Sequence, residues 1–326
     1  MMADAPLHTS MDESSFQEPF FLVGAERSGT TLLRLMIDHH PQIRFRFESN
    51  FLVDYLTADG NDPDPAVLQK ALEIDRGARL HGFEVREGHG YKSEVRHFLQ
   101  TDAHQQGKSL FGAALHRRFA DILHIYPNAR FLNLIRDPRD VAPSVIAMGW
   151  SGNTWHASKL WLNAQQEAQA LCDSLPADRW HNLRFEDLVC KPVETLTAVS
   201  EFLGCEFDPA MLSYPDDTTY PAPDASASER WRKNMPAINI QLVEACVGDW
   251  LQKAGYEPSG ETPRKINGMQ KWHLGIQNRI GRFRFRARRF GFFTVVSYAV
   301  SSRLGLEKSA NRLLLKMQAH ENSLLR

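Results

Sequence analysis

The sequence predicts an α/β fold with a parallel sheet covered by helices on both faces. Short apolar runs that read as buried strands alternate with segments whose apolar residues recur at helical spacing, the pattern of strand–helix–strand units. A glycine-bounded loop joins the first such run to a helix. A later run meets a charged motif at its end, which places that motif at the carboxyl edge where parallel α/β sheets bind ligands.

The elements follow in order. Residues 1–18 are polar and are expected to be a disordered tail. Pro19 to Val23 (PFFLV) reads as a buried strand and Thr31 to Asp38 as a helix that Pro41 ends. Ile43 to Phe47 looks like a second strand, and residues 57–65, rich in Asp, Pro and Gly, like a loop. Phe111 to Tyr126 spaces Leu115, Phe119, Ile122 and Leu123 at helical intervals and predicts a helix closed by Pro127-Asn128. Ala129 to Ile135 is the next strand. Helices are expected over Val141 to Met148, Trp161 to Leu175 and Pro192 to Leu203, with a strand at His181 to Phe185. Residues 214–228 read as loop, and Ile238 to Ala254 as a helix ended by Gly255. The Pro/Gly-rich EPSGETP marks a boundary, so 19–263 is read as one domain and 264–326 as a C-terminal extension. No internal repeat is visible. A length of 326 residues fits two domains or one large domain with an appendage, and either can bury a sizeable core.

Composition excludes several classes. Hydrophobic residues at 43% and charged residues at 24% are those of an ordinary globular protein, not a collagen-like, coiled-coil or wholly disordered one. No apolar run approaches the ~18 residues of a membrane span. The acidic N-terminus lacks the apolar stretch of a secretory signal. The four cysteines (Cys172, Cys190, Cys205, Cys246) form no CxxC pair, which disfavours a zinc ribbon or disulfide scaffold and fits a reducing cytosol. A cytoplasmic location is therefore expected. The net charge of −1 hides an asymmetry: from Arg264 onward 14 basic residues face two acidic ones, a net +12, which leaves −13 for the preceding 263.

Two motifs carry chemistry. The loop Gly24-Ala-Glu-Arg-Ser-Gly-Thr-Thr31 follows an apolar strand and opens a helix, so free backbone N–H groups and the positive end of a helix dipole surround an anion site. A nucleoside-triphosphate loop would place Lys where Thr30 stands. Here the cation is Arg27, inside the loop, which suits a 5′-phosphate bearing a transferable group and no metal. The competing reading is a tight turn with glycines for geometry alone. In Arg136-Asp-Pro-Arg-Asp-Val-Ala-Pro-Ser144, Arg136 at a strand end and Ser144 in the following helix could converge on a second phosphate, or the motif could be a surface Asp–Arg network.

In tandem these motifs resemble those of the sulfotransferases that use 3′-phosphoadenylyl sulfate (PAPS), and most closely the branch with Arg-Ser-Gly-Thr-Thr. LRFEDLVCKPVETLTAVSEFLG and SERWRKNM followed by Gly255-Tyr256-Glu257 resemble further family segments, so the likeness spans about residues 19–257. The small-phenol branch usually has Lys in the loop and Trp where this chain has Leu32. Phe185 stands where many relatives have Tyr. The resemblance implies a Rossmann-like P-loop fold with a parallel central sheet flanked by helices, here with a basic C-terminal appendage. It implies that Arg27 balances charge on the bridging oxygen, and that Ser28, Gly29, Thr30 and Thr31 hold the 5′-phosphate. Arg136 and Ser144 would hold the 3′-phosphate, and Arg230 with Arg232 would close over the cosubstrate.

Sulfuryl transfer needs a base within reach of the acceptor. Glu48 follows the second strand, where related sulfotransferases of this branch place a catalytic Glu. Its alternative is a surface pairing with Arg44 or Arg46. His81, His89 and His97 are rival bases. The histidines lack metal-ligand spacing, so no metal is expected.

The tail interleaves Arg and Phe from Arg279 and then runs apolar. It is too short to cross a bilayer but long enough to lie at an anionic membrane surface. Alternatively it packs on the acidic body. Nucleic-acid binding is not expected, since no RNA or DNA fold signature accompanies it. The alternation at 282–286 suits a strand better than a helix. The expected activity is in-line transfer from PAPS to an acceptor hydroxyl, carried by a lipid, glycolipid or other small metabolite. The rivals are a P-loop kinase and a noncatalytic membrane-interaction protein.

Overall fold

In the computed structural model, residues 18–323 are described. The expected disordered tail at 1–18 thus lies, save for Glu18, outside the described residues. In chain order the main elements are β1 (Phe20–Val23), α1 (Thr30–Asp38), β2 (Ile43–Glu48), α2 (Pro65–Leu72), α3 (Arg76–His81), α4 (Tyr91–Gln105), β3 (Leu110–Leu115), β4 (Arg130–Ile135), α5 (Pro138–Ala147), α6 (Thr154–Ser174) and β5 (Trp180–Arg184). There follow α7 (Phe185–Cys190), α8 (Pro192–Leu203), α9 (Tyr214–Asp217), α10 (Trp231–Asn234), α11 (Ala237–Val247) and α12 (Trp250–Lys253). The C-terminal helices are α13 (Gly268–Phe290), α14 (Phe292–Arg303) and α15 (Glu307–Ser323).

The five strands form one parallel sheet in the order β2-β3-β1-β4-β5. Because β1 is central, its four residues are buried on both faces. Phe20 and Leu22 join the core that α1 and α8 cover, while Phe21 and Val23 join the core under α4, α5, α6 and α11. This is the strand period of two serving two apolar layers. The chain leaves β1 towards β2 on one side and later crosses to β4 on the other, so the carboxyl end of β1 is the switch point at which such sheets bind ligands.

Most sequence expectations hold in kind. The exception is the helix expected over Phe111–Tyr126. Leu110–Leu115 is instead β3, with all six residues buried, and only Phe119–His124 coils, as a 3-10 turn. A strand buried on both faces loses the alternation that identifies strands, so its Leu and Ala residues imitate a helix. Arg118, in the left-handed region at φ 53°, separates the two pieces. The helix expected over 238–254 is divided at Gly248 into α11 and α12, and the 214–228 loop contains the short α9.

The Arg/Phe alternation also misleads, for residues 282–286 lie within α13. A capping box of Asn267 and Gln270 starts this helix. Its inner stripe is Leu274, Asn278, Gly281 and Phe285, spaced four, three and four residues apart. The Asn278 carboxamide oxygen accepts from Gly152 N–H at 2.7 Å, and Leu274 C=O accepts from the Asn153 amide at 2.7 Å. Gly281 lies so close to Gly152 that a Cβ would sit 2.6 Å from its Cα, and the Phe285 ring covers Gly149. At the far end Arg76 of α3 pairs with Glu321 at 3.1 Å, and Gln318 donates to Ile74 C=O at 3.0 Å. The extension therefore packs on the body at both ends.

Gly281→Ala should prise α13 from the turn at 149–153 at a cost of about 1–3 kcal/mol. Limited proteolysis should then cut the 258–267 connection faster than in the parent. An unchanged cleavage rate would mean that the helix does not depend on this contact.

Candidate functional site

The loop after β1 is shaped by contacts that only glycine tolerates. Gly24, at φ 147°, would place a Cβ 2.4 Å from the Leu134 carbonyl oxygen. Gly29, at φ 96°, is the N-cap of α1 and lies under the Phe185 ring, 2.2 Å from where a Cβ would stand. Between them Arg27 takes the left-handed conformation at φ 70°, a sparsely populated backbone for a residue with a side chain. The turn opens the N-terminus of α1, where the first backbone N–H groups have no intrahelical acceptor. Ser28 is buried, and its hydroxyl has no partner among the described residues. Thr30 is buried and Thr31 half-buried.

The two motifs converge. Arg27 Nε donates to Ser144 Oγ at 2.9 Å, and an Arg136 guanidinium nitrogen lies 3.4 Å from the Arg27 carbonyl oxygen that accepts from it. Ser144 thereby keeps its own hydroxyl proton for a ligand. Arg136 lies flat over the Phe185 ring, 4.0 Å from its centroid, and donates to Ala227 C=O at 3.2 Å. Burial lowers its pKa, opposed by Asp140 and Glu186. Phe185, which lacks the hydroxyl of Tyr, thus supports Gly29 and Arg136 together through its ring face alone.

Arg230 and Arg232 border this cluster but do not join it. Arg230 donates to Ser226 C=O at 2.9 Å and lies 3.4 Å from Asp224. Arg232 pairs with Glu229 at 2.9 Å and stacks on Trp231. Their segment is tied to the second motif, since Trp231 N–H donates to Asp140 at 2.8 Å and Arg139 stacks on the Trp231 ring at 3.8 Å. Asp137 caps α5 and grips the buried Arg139, which also reaches Glu244 at 2.9 Å. The Asp–Arg network considered as a surface alternative for this motif is present but buried, with Asp137 and Arg139 at most 2% exposed, and it coexists with Arg136 and Ser144.

Glu48 ends β2 at a bulge and has 55% of its side chain exposed. It pairs with neither Arg44 nor Arg46, both of which bind Asp102. Its partner is His116, just after β3, whose Nε2 lies 3.4 Å from the Glu48 carboxylate and whose Nδ1 lies 3.0 Å from the Gly24 carbonyl oxygen. The His116 side chain is 1% exposed. Burial opposes its charge, but Glu48, the Gly24 carbonyl and Glu26 outweigh burial and raise its pKa. The contact with His116 in turn lowers the pKa of Glu48 against burial, with help from Arg27 and Arg34. Glu26 lies in the same field, its pKa raised chiefly by burial and further by Glu48.

The rival bases stand elsewhere or are ill suited. Burial, then Arg46 and Arg34, push His81 down to about 4. His89 pairs with Glu94 at 2.8 Å, and His97 is exposed beside Thr101 on α4. Sequence reasoning missed His116 and Glu26. Glu26 sat inside the quoted loop, whereas His116 lay within the span misread as a helix, which hid its place at a strand end. No group of His, Cys, Asp and Glu among the described residues could hold a metal ion.

A family model described as "Sulfotransferase family" matches residues 19–209. Protein-tyrosine sulfotransferase 2 of Gallus gallus is 23% identical over 274 residues, covering 74% of this chain and 70% of its own. Protein-tyrosine sulfotransferase A of Caenorhabditis elegans is 23% identical over 275 residues, covering 75% and 69%. Among solved structures, the sulfotransferase domain from the Synechococcus PCC 7002 olefin synthase matches with a TM-score of 0.53 at 20% identity, covering 72% of this chain and 95% of that one, which shows a shared fold.

Phe185→Ala removes the ring beneath Arg136 and against Gly29. A cation–π contact of about 1–2 kcal/mol converts to a loss of about tenfold in affinity for adenosine 3′,5′-bisphosphate, measurable by calorimetry. Phe185→Tyr should bind at parent strength, because it keeps the ring.

Proposed function

Because the chain belongs to the sulfotransferase family and transfers sulfuryl groups from PAPS, we propose that it does so by direct in-line attack of an acceptor hydroxyl, with Glu48 as base and Arg27 as the cation at the leaving oxygen. The reading rests on one observation above all: Arg27, Arg136 and Ser144 form a continuous hydrogen-bonded cluster across two distant motifs, with Glu48 within the field of Arg27. The residues present fit the cosubstrate. The buried atoms Ser28 Oγ and Arg136 Nε, one in each motif and neither with a partner among the described residues, would serve the two phosphates. When bound, PAPS supplies the sulfuryl group on a phosphate leaving group.

Ser28, Gly29, Thr30 and Thr31 would hold the 5′-phosphate through the helix N-terminus, and Arg136 with Ser144 the 3′-phosphate. Arg230 and Arg232 would exchange Asp224 and Glu229 for the cosubstrate. Glu48, ionised at neutral pH, takes the proton of the acceptor hydroxyl as its oxygen bonds to sulfur. The sulfur–oxygen bond to the phosphate breaks, and its electron pair stays on the phosphate oxygen, where Arg27 donates a hydrogen bond. His116 orients the Glu48 carboxylate from below and leaves its exposed side to the acceptor. No step calls for a metal. The acceptor carries a hydroxyl, as does the tyrosine in the names of the protein-tyrosine sulfotransferases. The kinase alternative lacks support because Thr30 occupies the position of the loop lysine.

Adenosine 3′,5′-bisphosphate should raise the melting temperature by mass action, ATP should do so weakly, and EDTA should leave it unchanged. Strong stabilisation by ATP that depends on Mg²⁺ would instead mark a kinase.

Arg27→Ala should lower kcat by about 10²–10³. Glu48→Gln should lower it by about 10²–10⁴ while nucleotide affinity holds. The pH profile of kcat/KM should separate Glu48 from its neighbour. A lowered Glu48 pKa puts the acid limb below the ordinary Glu value, and a raised His116 pKa puts loss of the ion pair above the ordinary His value. His116→Gln should shift the acid limb upward and remove the alkaline one. An unshifted acid limb would assign the base elsewhere.

A further inference from the structure

From Thr262 to Leu306 the chain has ten Lys and Arg and no Asp or Glu. Arg279, Arg282, Arg284, Arg286 and Arg288 all lie on exposed sides of α13 and make no ion pair among the described residues. Arg282 with Arg286, and Arg284 with Arg288, are like charges one helical turn apart, which destabilise a helix. The inner stripe of Leu274, Asn278, Gly281 and Phe285 offsets that repulsion, so the folded body holds a row of cations that it does not itself neutralise.

Beside these cations lies an aromatic patch. The rings of Phe283 and Phe292 are 5.9 Å apart and those of Phe292 and Phe293 5.7 Å. Phe293 is 83% exposed and Phe292 55%. Ile280, one turn before Phe283, is also exposed. No helix among the described residues is long and apolar enough to cross a membrane.

We propose that the corner between α13 and α14 is the face by which this enzyme docks on an anionic lipid surface, inserting Phe292 and Phe293 among the acyl chains while the α13 arginines meet the headgroups. Exposed rings flanked by unpaired arginines have the composition of an interfacial anchor. The tail at +12 and the body at −13 make a dipolar molecule that an anionic surface orients tail first.

The docking end is also the reactive end. Helix α5 leaves the sheet at Arg136, and α6 regains that level at Trp161, whose indole donates to Arg136 C=O at 2.9 Å. The turn at 149–153, where α13 docks, stands about two helical turns outward of that level. The other end of the extension binds α3, which follows β2 and Glu48. The extension thus spans from the Arg136 side to the Glu48 side at the carboxyl edge of the sheet. Resting on the reaction proposed above, the acceptor hydroxyl is then one borne by a lipid or presented at its surface.

The test is flotation of the full-length protein with phosphatidylcholine vesicles, with and without phosphatidylserine, across a salt series. Binding should require phosphatidylserine and weaken as salt rises. The Phe292→Ser/Phe293→Ser and Arg282→Glu/Arg286→Glu variants should each lose about tenfold or more in vesicle affinity. Stabilisation by adenosine 3′,5′-bisphosphate, measured in the same samples, should be unchanged. Absence of binding to anionic vesicles, or binding indifferent to both variants, overturns the proposal. So does a variant-sensitive self-association or retention of RNA in place of vesicle binding. Failure of the sulfotransfer reading would show separately, as loss of the nucleotide response in the parent.

Discussion

The close approach of Gly24 to the Leu134 carbonyl is the constraint on which the site depends. It presses the loop after β1 onto the end of β4, in a space where a methyl group would stand 2.4 Å from the oxygen. Two residues after Leu134 the chain reaches Arg136, which can then donate to the Arg27 carbonyl. Arg27 in turn reaches Ser144 on the first helix after β4. Segments more than a hundred residues apart become one hydrogen-bonded cluster because adjacent parallel strands end side by side. The strain of Arg27 at φ 70° is held by this packing, not by local propensity.

Around that site, buried polar groups serve as joints between segments. Glu186 accepts from Asp137 N–H at 3.1 Å and from the Tyr256 hydroxyl at 2.8 Å, which ties the start of α7 to α5 and to the segment after α12. Arg139 links Asp137, Glu244 and the Trp231 ring. A buried ion pair adds little net stability, but removing one partner leaves a costly charge, so such groups fix geometry. Burial pushes Asp140 up to about 6 against the pull of Arg136, while one of its oxygens holds Trp231 N–H. The segment carrying Arg230 and Arg232 is thereby anchored at its centre, with both guanidinium groups left at the surface.

How much of this was legible in the sequence follows from what each residue had to signal. The loop and the Arg136-to-Ser144 motif were readable because glycines and charged residues at strand ends stand out in type and spacing, and the fold brings the two together. The alternation of strands and helices was readable where one face stayed apolar and the other polar, and at β1 and β4, whose short apolar runs are cut off by glycine or charge. It failed at β3, where burial on both faces erased the alternation, and with it went the position of His116 at a strand end. It failed again at 282–286, where Phe285 turns inward against Gly149 and Phe283 outward. Two rings facing opposite ways two residues apart look like a strand, although a helix separates them by about 200°. The pairing of Glu48 with His116 could not be read at all, since it depends on β2 and β3 being neighbours.

That pairing sets the electrostatics of the open end of the sheet. Glu48 and Glu26 place two carboxyl groups beside the loop after β1, where Glu48 adds to burial in raising the pKa of Glu26. Arg27 and Arg34 supply positive charge beside Glu48, and the carboxylates raise the pKa of His116 against burial. Arg34 is buried enough that its pKa falls to about 10, yet it remains a cation at neutral pH. The contact between Glu48 and His116 works both ways: against burial, Glu48 raises the His116 pKa, and the imidazole lowers that of Glu48. The buried imidazole thus links the Glu48 carboxylate to the carbonyl of Gly24, the residue whose packing against Leu134 holds the loop in place.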